Sequence, residues 1–305
     1  MKYAAIDIGT NTVLCLIAEV TSGQVSVLED LALIARLGEG LSHQGQLKPE
    51  ARERTLVILE KYQKAIARHG VAPQCTRVIA TAGLRKAANA QDFLDEVKQK
   101  LGFSIEIIDG DREAQLNHVA VHRGLNLPPA TPLLIMDIGG GSTEIITTDA
   151  SGITGAKSLA LGSVWLTERH FKLEDPPSQR AYHNAEVEIQ TLLGQAGFCW
   201  PKPATMIGIA GTITTLSAMH QQMTIYDPQK VHGSQLSRNA ILKIEKTLLQ
   251  IPLAEKIKLP GLQKERADVL LAGAMIARIV MQLAQVDALT VSDQGIRYGV
   301  LWEYA

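Results

Sequence analysis

Aromatic side chains make up only 4% of this 305-residue chain, and cysteines number three. An odd number of cysteines at no metal-ligand spacing excludes a disulfide framework and a zinc module. Cys15, Cys75 and Cys199 are therefore expected to be buried, reduced thiols of a cytoplasmic protein. An excess of one charge is also missing, since the formal net charge is -1 and neither half departs from balance by more than one. A nucleic-acid binder draws its affinity from a basic face, so no nucleic-acid partner is expected. The longest apolar stretch, "VLLAGAMIARIVMQLA" from Val269, is cut by Arg278 and is shorter than the roughly 20 residues that cross a bilayer. It predicts a buried helix and no membrane partner. The opening "MKYAAIDIG" places Asp7 where a leader needs an unbroken apolar core, and it offers no cleavage site, so it predicts a first strand.

What the chain does contain is ordinary globular text, 46% hydrophobic and 20% charged, long enough for two cores. "YAAIDIG", "VLCLIAEV" and "QVSVLED" predict an antiparallel meander. A helix then starts with Pro49 in its first turn and closes on Gly70, its apolar stripe carried by Leu56, Leu59, Tyr62 and Ile66. "TRVIAT" predicts a strand, "NAQDFLDEVKQKLG" a helix, "SIEIID" a strand and "DREAQLNHVAVHRGL" a helix. After the Pro-rich break "NLPPATP", three strands recur as "LLIMDIG", "STEIITTD" and "GITGAKSLAL". "VWLTERHF" and "SQRAYHNAEVEIQTLLGQAG" predict helices, followed by the strand "ATMIGIAG" and the helices "TITTLSAMHQ" and "SRNAILKIEKTLLQ". A buried helix from about Lys264, the strand "ALTVSD" and a final helix complete the chain. Without its inserted helices the second half repeats the βββαβαβα order of the first, which argues for a duplicated fold. The expected domains are 1–125 and 126–305, with a final helix at 294–305 that could pack back on the first.

In each half an Asp-x-Gly ends the first strand and opens a hairpin: "IDIGTNT" at Asp7 and "MDIGGGSTE" at Asp137. Glycines let backbone approach an anion, and successive N–H groups in such a tip make a phosphate nest. Gly9, Thr10, Asn11 and Thr12 form one expected phosphate turn, and Gly139, Gly140, Gly141, Ser142 and Thr143 the other. An aspartate beside a phosphate makes sense with a cation between them. Mg²⁺ suits this, being held by carboxylates, phosphate oxygens and water, and Asp7 and Asp137 are the expected ligands. A single Gly-rich turn would count as an ordinary hairpin, whereas two at equivalent places predict a polyphosphate gripped from two sides.

These motifs, with "IGIAGTITTL", resemble the phosphate and nucleotide motifs of the actin, sugar kinase and heat-shock chaperone superfamily. "ATAGLRKAANA", "IIDGDREAQL", "LALGSVWLTERHF", "ERADVLLAGAMI" and "VSDQGIRYGVL" resemble, in order, the blocks of the exopolyphosphatase and guanosine pentaphosphate phosphohydrolase (Ppx/GppA) family, across nearly the whole chain. The resemblance implies an α/β protein of two ribonuclease H-like domains around a central cleft. It implies Mg²⁺-dependent hydrolysis of a terminal phosphoanhydride bond in inorganic polyphosphate, or alternatively in guanosine pentaphosphate. By position it makes Glu113 the general base, places Glu144 near the metal and the attacking water, and aims Arg85 at a substrate phosphate. Gln115 and Gln294 stand where family members often carry a basic residue. With Ala305 following the last core helix, the resemblance is to short members without a helical C-terminal extension.

Each residue also has a plainer reading. Glu113 could cap its helix, Glu144 could be an exposed strand carboxylate, and Arg85 a solvated charge in a loop between strand and helix. Gly208, Gly211 and Thr212 open a helix in an anion-friendly way, and Arg266 and Arg297 are weaker substrate candidates or ion-paired helix residues. His118 and His122 lie one turn apart but lack a third zinc ligand. A phosphotransferase would share the fold, and a sensor would bind the same ligand without turnover. A two-fold homodimer is the default assembly.

Overall fold

The computed structural model describes residues 1–128, 130–198, 200 and 205–305, so Cys199 lies outside the described residues. The chain packs as two units, one of Met1–Arg123 with Gly295–Ala305 and one of Gly124–Gln294. No helix among the described residues is long and apolar enough to cross a membrane.

The first unit is built on β1 (Lys2–Ile8), β2 (Thr12–Thr21), β3 (Gln24–Ile34), β4 (Thr76–Ala80) and β5 (Ile105–Ile107), in the sheet order β3-β2-β1-β4-β5. The first three strands are antiparallel, as hairpins allow, and β4 and β5 add in parallel after helical crossovers. One face of the sheet meets the helices Pro49–Arg68 and Ala90–Leu101, burying Leu59, Tyr62, Phe93 and Val97 against Ile6, Ile8, Val13 and Cys15. Pro49 does sit in the first turn of its helix, and Gly70 follows its end at φ 68°, a left-handed value that glycine adopts without strain. On the other face Ala5, Leu16 and Ile79 pack on Leu116 and Ala120 of Gly110–Gly124 and on Val300 and Leu301 of the C-terminal helix Ile296–Trp302. Each such fully buried aliphatic side chain contributes about 1.5–3 kcal/mol. A Cβ on Gly299 would lie 2.2 Å from the Leu116 carbonyl oxygen, so only glycine lets the two helices approach this closely. Arg297 grips Asp30 through two hydrogen bonds of 2.9 Å, and Arg112 holds Glu303, so the C-terminal helix is part of this unit by contact as well as by packing. Cys15 and Cys75 are buried free thiols.

The second unit has β6 (Leu133–Ile138), β7 (Thr143–Asp149), β8 (Gly152–Leu159), β9 (Thr205–Ile209), β10 (Gln235–Ser237) and β11 (Ala288–Val291), ordered β10-β11-β9-β6-β7-β8. Its core gathers Leu134, Met136 and Ile138 with the helices Ser163–His170, Gln179–Gln195, Ala210–His220, Arg238–Gln250 and Leu270–Leu283. The apolar run from Val269 is the last of these, buried along nearly its whole length. Arg278 is tolerated inside it because its guanidinium donates to Glu245 at 2.8 and 3.1 Å and to Glu186 at 2.8 Å, while Tyr182 also donates to Glu245. His232 joins the ends of this unit: the Asp293 N–H donates to its Nδ1, so its Nε2–H points to the Gly124 carbonyl.

The first hairpins of the two units match residue for residue. Asp7 pairs with Leu14 and Ile8 with Val13 on β1 and β2; Asp137 pairs with Glu144 and Ile138 with Thr143 on β6 and β7. Both following hairpins contain a register shift, between Ile17 and Ala18 and between Thr147 and Thr148, each 130 residues from its counterpart (147 − 17 = 148 − 18 = 130). A shared bulge at one offset is hard to obtain without duplication.

Three expectations need correction. Arg85 is not in a loop but on a five-residue helix, Ala82–Lys86, whose first bond runs from the Arg85 N–H to the Thr81 carbonyl. The buried helix starts at Leu270 rather than near Lys264, because Lys264–Arg266 winds as a separate 3₁₀ turn. The short edge strand β10 has no counterpart in the sequence reading; three residues are too few to show a period.

Candidate active site

In the first unit the turn after Asp7 is closed by the Gly9 N–H donating to the Thr12 carbonyl at 3.0 Å, and a Cβ on Gly9 would meet that same oxygen at 3.0 Å. The Thr10 carbonyl accepts from Gly38 and the Asn11 carbonyl from Ala35 and Arg36, so the body of the unit holds the tip by its acceptors. That orientation suits a site for anions, which seek donors. Two buried polar atoms here have no protein partner, Oδ1 of Asp7 and Nδ2 of Asn11. Burial raises the Asp7 carboxyl to about 6, an effect the nearby Arg297 charge partly offsets. An orphaned carboxylate oxygen in a buried place matches what an oxygen-seeking cation requires.

Glu113 lies in the first turn of Gly110–Gly124 and is 4% exposed. It is not the cap, because Asp109 accepts the Arg112 N–H at 2.8 Å and fills that role. Arg85 Nη1 stands 3.4 Å from Glu113 Oε2 and donates to the Ile108 carbonyl at 2.7 Å. The guanidinium thus compensates a buried carboxylate while it stays partly open to solvent, with 27% of its side chain exposed. Two of the expected catalytic residues are brought together by geometry.

The second unit repeats the turn. The Gly139 N–H donates to the Ser142 carbonyl at 3.0 Å, the same bond at the same place. Here the carbonyls of Gly139 and Gly140 are taken by the N–H groups of Ser163, Val164 and Trp165 at the start of the helix Ser163–His170. A Cβ on Gly162 would fall 2.3–2.6 Å from the Gly140 and Gly141 backbone, which fixes that glycine by contact. The Thr143 hydroxyl donates to Leu161 and the Thr212 hydroxyl to the Ile138 carbonyl at 3.0 Å, so both brace the turn. Asp137 and Glu144 stand directly opposite each other on β6 and β7, both buried. Like charges in that arrangement repel, and a divalent cation removes the cost. Oxygen donors only, with no thiol or imidazole, suit Mg²⁺. The Ser158 hydroxyl donates to Glu144 Oε1 at 2.7 Å, a contact with no signal in the sequence reading.

The other candidates resolve differently. Arg297 is committed to its pair with Asp30. Arg266 is half-buried with its guanidinium 2.2–2.5 Å from where a Gly211 Cβ would be, and desolvation there lowers it to about 10. Gly208 would drive a Cβ into Ile213 at 2.8 Å, so both glycines serve packing. His118 and His122 meet edge to face at 4.4 Å, and burial together with His122 lowers His118 to about 4. No third ligand joins them among the described residues. Gln115 is exposed, and Gln294 packs its buried Oε1 against Gly124.

Known proteins resemble this chain along nearly its whole length. The model of the Ppx/GppA phosphatase family matches residues 16–305. Exopolyphosphatase 2 of Mycobacterium tuberculosis is 33% identical over 98% of this chain and 97% of its own. A bifunctional 3-dehydroquinate synthase/phosphatase of Fusobacterium nucleatum is 31% identical over 98% of this chain, which spans 46% of that protein. Among solved structures, the Aquifex aeolicus Ppx/GppA family member superposes with a TM-score of 0.82 at 34% identity, covering 100% of this chain and 97% of that one. An exopolyphosphatase from Cytophaga hutchinsonii superposes with a TM-score of 0.89 at 28% identity, again over 100% and 97%. Motif order, duplicated α/β units and full-length similarity converge: the chain belongs to the Ppx/GppA phosphatase family.

Proposed function

We propose that this protein is a Mg²⁺-dependent exopolyphosphatase, a phosphoanhydride hydrolase that releases the terminal phosphate of linear inorganic polyphosphate. The observation that carries the reading is the repeated turn, closed in both units by the same 3.0 Å bond and preceded in both by a buried aspartate. Polyphosphate is itself a repeat, so two equivalent anion nests suit a substrate whose neighbouring groups are chemically alike. The backbone and hydroxyls of Gly9, Thr10, Asn11 and Thr12, and of Gly139, Gly140, Gly141, Ser142 and Thr143, are the proposed phosphate contacts. Full-length similarity to two proteins named as exopolyphosphatases supports the choice.

Asp7, Asp137 and Glu144 are the carboxylates that would hold Mg²⁺, which when bound neutralises phosphate-oxygen charge. Arg85 is suited to grip two oxygens of the substrate phosphate at once. Glu113 takes the proton from water as that water's oxygen bonds to the terminal phosphorus. The bridging P–O bond breaks, its electron pair leaves with the shortened chain, and inorganic phosphate is the product. Positioning and charge account for most catalysis in such transfers, so buried Glu113 and half-open Arg85 are well placed for a proton and for an anion respectively.

The test offers purified protein polyphosphate, guanosine pentaphosphate and ATP side by side with Mg²⁺, without any acceptor. Phosphate release from polyphosphate is expected, and Glu113→Gln should reduce it roughly 10² to 10⁴-fold with folding intact. Preferential turnover of guanosine pentaphosphate would move the substrate assignment. Mg²⁺-dependent binding without release would make the protein a sensor, and near-normal turnover by the variant would remove Glu113 from the mechanism.

A further inference from the structure

The residues that face one another across β6, β7 and β8 form a row, Asp137 opposite Glu144 and Glu144 opposite Ser158. The matching row across β1, β2 and β3 is Asp7, Leu14 and Ala32. Directly opposed residues project from one face, close enough for their side chains to touch. The two rows share their aspartate and then diverge together: where the middle residue is a carboxylate the third carries a hydroxyl, and where it is leucine the third is alanine.

We propose that Ser158 is a positioning residue for the metal-binding carboxylate, orienting Glu144 by donating to Oε1 at 2.7 Å so that its remaining lone pairs meet the cation in a fixed direction. This rests on the reading of Asp137 and Glu144 as Mg²⁺ ligands. The physical need is specific to a cation of this kind. Mg²⁺ demands near-ideal octahedral geometry and tolerates a swinging ligand poorly, and a glutamate has one more rotatable bond than the aspartate beside it. Outer partners that hold metal-binding side chains typically matter 10–100-fold in affinity. The register that makes this contact depends on the bulge in the second hairpin. From its turn outward the pairing runs Asp149 with Gly152 and Thr148 with Ile153, then shifts by one before Thr147 with Gly155. Without that shift Lys157 would oppose Glu144, and its ammonium would compete for the same oxygens. The bulge therefore selects a neutral donor over a cationic one.

The experiment titrates Mn²⁺, a spectroscopically visible substitute for Mg²⁺, into the metal-free full chain and follows free Mn²⁺ by electron paramagnetic resonance. Wild type, Ser158→Ala, Ser158→Thr and Glu144→Gln are compared, with thermal melting to check folding. Ser158→Ala should weaken binding about tenfold or more, and Ser158→Thr, which keeps the hydroxyl, should bind within about twofold of wild type. Binding by Ser158→Ala within twofold of wild type, while Glu144→Gln loses it, overturns the role of Ser158 and leaves the metal reading standing. Loss in Ser158→Thr equal to that in Ser158→Ala overturns it as well, because the hydroxyl would not be the cause. If wild type takes up no Mn²⁺, or Glu144→Gln takes it up as wild type does, the metal reading fails and the inference goes with it.

Discussion

The two hairpins keep the same backbone and differ in what they hold out. In the first, Asp7 has an unpartnered buried oxygen, and its neighbours along the row, Leu14 and Ala32, offer no charge at all. In the second, Asp137 adjoins Glu144, which is held by Ser158. The turn bond, the four-residue tip and even the later bulge are unchanged between them. The backbone of the turn is thus common to both copies, and the opposed pair of carboxylates belongs to one. A duplicated hairpin need not stay symmetric, because its turn is held by backbone bonds that leave the side chains along the row free to differ.

The largest effect is expected where the two rows differ most, at Glu144 and Leu14. Glu144→Leu gives the second row the middle residue of the first, and should lower phosphate release from polyphosphate roughly 10² to 10⁴-fold, the several kcal/mol of transition-state charge stabilisation a metal ligand supports. A drop under tenfold would mean the asymmetry has no catalytic meaning.

Next in size is the way each unit ties down a late helix. Glu245→Ala takes from Arg278 its fully buried counter-charge and leaves only the more exposed Glu186, and should cost about 3–5 kcal/mol, read from urea unfolding. Asp30→Ala removes the partner of Arg297 in the first unit, where the aspartate side chain is 24% exposed, and should cost about 1.5–3 kcal/mol. Equal losses would show that burial of the ion pair is not the deciding variable.

Acid should act on the first unit through His118. Its folded value is lowered to about 4 while the unfolded chain takes up the proton near 6.5. The unfolded state thus binds more protons between those limits, so stability from this group is complete above pH 6.5 and falls as the pH drops toward 4. His118→Leu should gain about 1–3 kcal/mol relative to wild type on going from pH 7 to pH 4.5, with the difference between their urea midpoints as the measure. A constant difference would sink the assignment. The smallest effect concerns the turns themselves: the added Cβ meets a carbonyl at 3.0 Å in Gly9→Ala and at 3.3 Å in Gly139→Ala. The first should cost about 1–2 kcal/mol and the second under about 1 kcal/mol. The reverse order would show that the two tips are not held alike.

Much of this was legible in the sequence because it is local. Asp-x-Gly at Asp7 and Asp137, Pro49 at a helix start and the apolar stripe through Leu56, Leu59 and Tyr62 depend on near neighbours and on period alone. The partners of the site residues were not legible. Ser158 meets Glu144 only because one extra residue shifts the register, and a one-residue slip reverses every side chain on a strand. Asp30 lies 267 positions from Arg297, a separation no window can span. The helix carrying Arg85 is too short for a periodic signal and is settled by its contact with Thr81. Arg278 looked like an interruption of an apolar helix, when in fact Glu245 and Glu186, distant in sequence, make it an anchor.

The first unit is written in two pieces, its opening residues and its last helix, with the whole second unit between them. During synthesis on the ribosome the second unit can therefore close its core before the first is complete, since domains fold as units while the chain emerges. Until Ile296–Trp302 arrives, Leu16, Ile79 and Leu116 have a face of their sheet and helix without its cover. The nascent chain must wait with this sheet half covered, until a helix translated after the second unit seals strands translated before it.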